Sequence, residues 1–158
     1  MCINIFEGNT VGYKNVIKSS CSQDFSIYKK YKDYLICSVA DGHSMDMFKY
    51  SHIGSRLACK AILDISEKYL QIDSDLFINN FKKGIIQKQI KLRWRNLVYE
   101  DFYSRNYRAY KLNYGLYGTT LTFFILLRDK MIFFNLGDGN ILIQQENGYN
   151  FIFENNNY

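Results

Sequence analysis

The chain has 158 residues, the length of one domain, with 47% hydrophobic, 22% charged and 17% aromatic residues. That balance excludes a disordered or low-complexity chain, and the absence of proline excludes Pro-rich linkers and PxxP ligands. A formal charge of +5 permits an acidic partner without demanding one.

In chain order, the start from Met1 to Glu7 has no basic n-region and meets a carboxylate early, unlike a secretory leader. Phe25 to Tyr28 is a short apolar stretch, and Lys29 to Asp33 reads as a charged turn. Tyr34 to Ala40 is apolar almost throughout, as in a strand buried on both faces, and it stops at the turn signal Asp41-Gly42. A helix is predicted from about Met47 to Leu70, with Ile53, Leu57, Ala61, Ile65 and Tyr69 recurring every fourth residue and Asp46 as a candidate N-cap. Asp73-Ser74-Asp75 caps a second helix whose apolar face runs through Phe77, Phe81, Ile86, Ile90, Trp94 and Leu97, with Trp94 a core anchor. Ser104 to Tyr114 reads as loop.

Thr119 to Leu127 and Met131 to Leu136 read as a hairpin, followed by Ile141 to Ile143 and, after the Asn147-Gly148 turn, Tyr149 to Phe153. Strands grouped apart from helices favour an α+β fold in one domain spanning 1–158. The most apolar run, Leu121 to Leu127, is far short of the roughly 20 residues that span a bilayer. Cys2, Cys21, Cys37 and Cys59 form no CxxC pair, so reduced core thiols and a cytoplasmic location are expected. Lys88, Lys91 and Arg95 share one helical face, which reads as a solvated surface rather than a nucleic-acid footprint.

Asp24, Asp41 and Asp138 each stand where a predicted strand meets a turn. A carboxylate held at a strand end, with glycine opening the backbone beside it, suits hard divalent cations, which take oxygen ligands. An isolated Asp-Gly is more often just a turn, and spacing alone leaves the function undecided.

Four segments in order go further. Val39-Ala40-Asp41-Gly42-His43 resembles the V-x-D-G-H motif of the type 2C metal-dependent Ser/Thr protein phosphatases. Cys21-Ser22-Gln23-Asp24 resembles the N-terminal acidic motif in its bacterial form, Tyr117 to Leu121 the G-[ST]-T strand start, and Asn135 to Gly139 the G-D-[SG] turn. The resemblance implies a partial β-sandwich with a flanking antiparallel helix pair and a site for two Mn2+ or Mg2+ ions. Position by position, Asp41 would bridge the ions and the Gly42 carbonyl would bind one. Asp24 would hold metal-bound water, Asp138 would be an accessory ligand, and His43 would be the acid for the leaving alkoxide. Metal-activated water would attack the phosphorus of a phosphoserine or phosphothreonine in a phosphoprotein substrate.

Where many relatives carry a phosphate-gripping arginine, this sequence has Lys18, which offers a point charge without the bidentate fork. The family's later aspartate motifs should lie beyond Tyr158, so a C-terminally truncated, incomplete phosphatase is expected. A complementary C-terminal polypeptide would then cover residues around Phe123, Phe133, Phe151 and Phe153. The alternative is a catalytically inactive phosphatase-like binding or regulatory module. Neither a membrane nor a nucleic acid is expected as partner.

Overall fold

A computed structural model describes residues 3–8, 10–11, 13–17, 21–105, 111–146 and 148–153. After the single turn of helix α1 (Tyr13–Ile17) come strands β1 (Phe25–Lys30) and β2 (Leu35–Ala40), then helices α2 (Ser51–Leu70), α3 (Ser74–Lys82) and α4 (Ile85–Arg105). A 3-10 turn at Tyr114–Tyr117 leads into β3 (Leu121–Leu126), β4 (Met131–Leu136), β5 (Leu142–Gln145) and β6 (Gly148–Phe151). Strands β1-β2-β3-β4 form one antiparallel sheet in that order, and β5-β6 form a separate hairpin. The α+β class and the helix layer agree with the sequence reading.

The core forms where alternate strand residues meet the helices. Ile36, Phe123, Ile125 and Ile132 pack on Cys59 and Ile62 of α2, with Phe77 of α3 and Ile86 and Ile90 of α4 closing the layer. A smaller cluster of Val98, Phe102 and Tyr117 fastens the end of α4 to the 3-10 turn. Trp94 joins the two, half-buried, its indole N–H donating to the Gly54 carbonyl at 3.1 Å. No described helix is long and apolar enough to cross a membrane.

Several boundaries differ from the sequence reading. β1 continues through Lys29 and Lys30, because Lys29 pairs across to Ile36 while its ammonium reaches Glu67 on α2 at 2.8 Å. Helix α2 begins at Ser51, and its N-cap Tyr50 makes no side-chain cap bond, so Asp46 does not cap it. Asp73 does cap α3, its carboxylate accepting from the Asp75 N–H at 2.8 Å. The long second helix is two: Gly84 at φ 72° breaks it after α3, and the apolar spacing resumes in α4.

β2 is central, yet it is not closed on both faces, since Leu35 is buried while Val39 is 52% exposed. Phe123 lies under the helices at 1% exposure and needs no further cover, whereas Phe133 is half-buried and Phe151 exposed. Residues 106–110 of the expected loop, and Asn147 of the expected turn, fall outside the described residues.

Candidate active site

Antiparallel pairing brings one end of each strand to the same rim of the sheet. Phe25 opens β1 opposite Ala40, which closes β2, and Leu121 opens β3 opposite Leu136, which closes β4. Asp24, Asp41 and Asp138 flank those ends, so topology collects carboxylates that are far apart in sequence. All three line one cleft of about 310 Å³, together with Val39, Thr120, Thr122 and their neighbours.

The Asp41 turn is held from both sides. The Thr120 N–H and the Thr119 hydroxyl donate to the Asp41 carbonyl at 2.8 and 3.0 Å, and the Asp41 N–H donates to the Thr120 hydroxyl at 3.0 Å. The Gly42 N–H donates to the Gln23 carbonyl at 3.2 Å. A Cβ on Gly42 would stand 2.6 Å from that same oxygen and 2.9 Å from the Ser51 backbone, so no side chain fits there. At the other wall, Asn135 accepts from the Thr122 hydroxyl at 2.7 Å and donates to the Gly137 carbonyl at 2.9 Å, fixing the turn that presents Asp138.

Electrostatically the cleft is strained by like charge. Burial raises the Asp41 carboxyl to about 6, and the Asp24 carboxyl hydrogen-bonded to it and the Asp138 charge push the same way, while His43 pulls it down. The described lining carries no basic side chain. Its donors are oxygens, the set that hard divalent cations take. Among the described residues, no group of three or more His, Cys, Asp or Glu side chains is gathered closely enough to hold an ion unaided. A carboxylate pair whose remaining positions are filled by water still suits Mg2+, which sheds its water reluctantly.

Gly42 is buried beneath the turn, and His43 stands beside the cleft rather than in its lining, stacked on Phe48 with centroids 4.6 Å apart. Lys18, the expected phosphate group, falls outside the described residues. Sequence reasoning met Gln23 within the acidic motif but gave no bracing role to it, Ser51 or Ser55. The Gln23 amide donates to the His43 carbonyl and to the Ser51 hydroxyl, both at 3.1 Å, and the Ser55 hydroxyl donates to the Gln23 carbonyl at 2.6 Å. The signal was present: Ser51 and Ser55 are polar residues one turn apart on the buried face of α2.

No curated protein matches the chain. Residues 11–158 match the family model described as Protein phosphatase 2C, and the chain belongs to that family.

Proposed function

We propose that this chain is a metal-dependent phosphoserine/phosphothreonine protein phosphatase acting on a phosphoprotein in the cytoplasm. The observation that carries the reading is the convergence of Asp24, Asp41 and Asp138 from three separate stretches of chain on one cleft lined by oxygen donors. Family membership supplies the reaction class. Asp41 and the Gly42 carbonyl are the assigned ligands for Mn2+ or Mg2+, with Asp138 accessory. When bound, such ions supply an acidified water and neutralise charge growing on the phosphoryl group.

The chain's own groups do the rest. Asp24, beside Asp41, accepts hydrogen bonds from water and so orients it. His43, held beside the cleft by its stack on Phe48, donates a proton to the departing serine or threonine oxygen. Lys18 is assigned to the phosphate as a point charge. A complementary C-terminal polypeptide gains no support from the comparisons, and the reading does not depend on one.

The test is phosphate release from p-nitrophenyl phosphate and from a phosphoserine peptide, with Mn2+ or Mg2+ and with chelator. Turnover should require the ion, and Asp41→Asn should lower it by at least about a thousandfold. Turnover that survives chelator or Asp41→Asn would overturn the reading. Two adjacent carboxylates hold a hard cation weakly, and this favours a second reading, the catalytically inactive binding module. That module would show no ion-dependent turnover at any concentration, and Asp41→Asn would leave partner binding intact.

A further inference from the structure

Strand β4 is an edge of its sheet among the described residues, paired to β3 alone. An edge strand presents unpaired N–H and C=O groups in alternation, and only another peptide backbone satisfies the whole row. Two grooves lie along this edge. One, of about 700 Å³, runs between Met131–Phe133 and Ile78, Phe81 and Lys82 of α3. The other, of about 380 Å³, runs between Phe134 and Leu136 and Ile90, Lys91 and Trp94 of α4.

The grooves are apolar at the base and basic at the rim, where the carboxylate of the larger groove, Asp75, is paired with Lys130 at 3.2 Å. Met131 and Leu136 are 53% and 58% exposed. Lys82, Lys88 and Lys91 are exposed along the helix side, with no ion-pair partner among the described residues. The second groove also adjoins the acidic cleft: Thr120 lines both, and Leu136 runs directly into the Gly137-Asp138 turn.

We propose that an extended acidic peptide docks here as a further strand on β4. Its backbone pairs with the open edge, and its apolar side chains settle against Phe134, Leu136 and Trp94. Its carboxylates meet Lys82, Lys88 and Lys91. A second copy of this chain is a poorer occupant, because it would bring the same lysines to the same edge. Docking on β4 leads a phosphoserine a few residues away into the cleft, so the groove selects substrates with an acidic and apolar flank. That last step rests on the phosphatase reading, and the binding itself does not.

Trp94, the single tryptophan of the chain, provides the readout. An unphosphorylated short peptide of Val, Phe and Glu should change its fluorescence saturably. A peptide with Lys for Glu should bind about tenfold more weakly, as should the acidic peptide to the Lys88→Glu, Lys91→Glu double variant. Methylating alternate backbone nitrogens of the acidic peptide should weaken binding likewise, a test that leaves the protein untouched.

Equal affinity of the acidic and lysine peptides, indifference to charge reversal, or undiminished binding of the N-methylated peptide would each overturn the proposal. So would an edge-to-edge dimer that excludes peptide. Hydrolysis of p-nitrophenyl phosphate, which needs no groove, separates the two readings. Peptide binding without turnover supports the groove and sinks the phosphatase, whereas turnover indifferent to peptide sequence sinks substrate selection by the groove and leaves the phosphatase standing.

Discussion

The two faces of the four-stranded sheet are made by the same strands, residue by residue in alternation, and they live in different environments. Toward the helices, register aligns Ile36 with Ile125 and Ile132, and Phe123 with Phe134, all packed in the main core. On the opposite face, Tyr28, Cys37, Phe124 and Phe133 form the matching row, none of them fully buried. That face is closed at the Leu35 end, near the N-terminal segment whose Ile3 carbonyl accepts from Lys30 at 3.4 Å, and open at Val39, toward the cleft. Rigidity on one face and access on the other meet at the rim that carries Asp41.

Replacing aromatic residues on the two faces puts the contrast to a direct test. Phe123 is 1% exposed, stacked on Phe134 at 5.1 Å and met edge-on by Phe81 at 6.3 Å. Phe123→Ala should therefore lower stability by about 3–5 kcal/mol, read by urea unfolding. Phe133→Ala, from the half-buried row, should cost less than about 2 kcal/mol. Similar losses at both positions would mean that the second face is as tightly packed as the first.

Closeness on the helix side has a second test. A Cβ on Gly54 would fall 2.0 Å from the Tyr117 carbonyl oxygen, closer than non-bonded heavy atoms can sit. Gly54→Ala gains about 1 kcal/mol of helix propensity, yet overpacking here should leave it about 1–2 kcal/mol less stable in net. The displaced Tyr117 carries Gly118 with it, and the His43 N–H donates to the Gly118 carbonyl at 3.2 Å. Turnover should fall along with stability, whereas Phe133→Ala should spare turnover.

Much of this layout was legible in the sequence, and the gaps have physical causes. Strand positions and the ordered motifs could be read because β-branched and aromatic runs end at Asp-Gly turns. The split between α3 and α4 was hidden because apolar spacing carries straight through Lys82 to Ile85, and one glycine at positive φ resets the axis. The unequal faces of β2 were hidden because Leu35 to Ala40 is apolar at nearly every position; what covers each face lies elsewhere in the chain. Asp24, Asp41 and Asp138 were visible individually, and only the family resemblance implied their convergence, because strand register is not encoded in any local pattern. The bracing by Gln23, Ser51 and Ser55 was not read, because the polar spacing of Ser51 and Ser55 marks a buried polar contact without naming the Gln23 partner that the fold brings to it.

Thiol chemistry offers the finest comparison of the two faces, since Cys59 lies in the helix-side core and Cys37 on the opposite row. Burial pushes both thiols up to about 11. Each folded value lies above the ordinary thiol value of 9.0, so the folded state keeps its protons longer than the unfolded chain. Their contribution to stability is accordingly full below pH 9 and is lost as pH rises from about 9 to about 11. Alanine at either position should flatten that alkaline loss, as measured by melting temperature across the range.

Near neutral pH both remain thiols and resist alkylation, while exposed Cys21 reacts ahead of them. The order of Cys37 and Cys59 decides the matter. Cys37, half-buried on the less covered face, should alkylate through local motion, at a rate insensitive to mild denaturant. Cys59, fully enclosed, should alkylate only as fast as the whole domain opens, and its rate should climb steeply with urea. If both rates climb together, the two faces open as one unit, and the apparent exposure of the second face has no dynamic consequence.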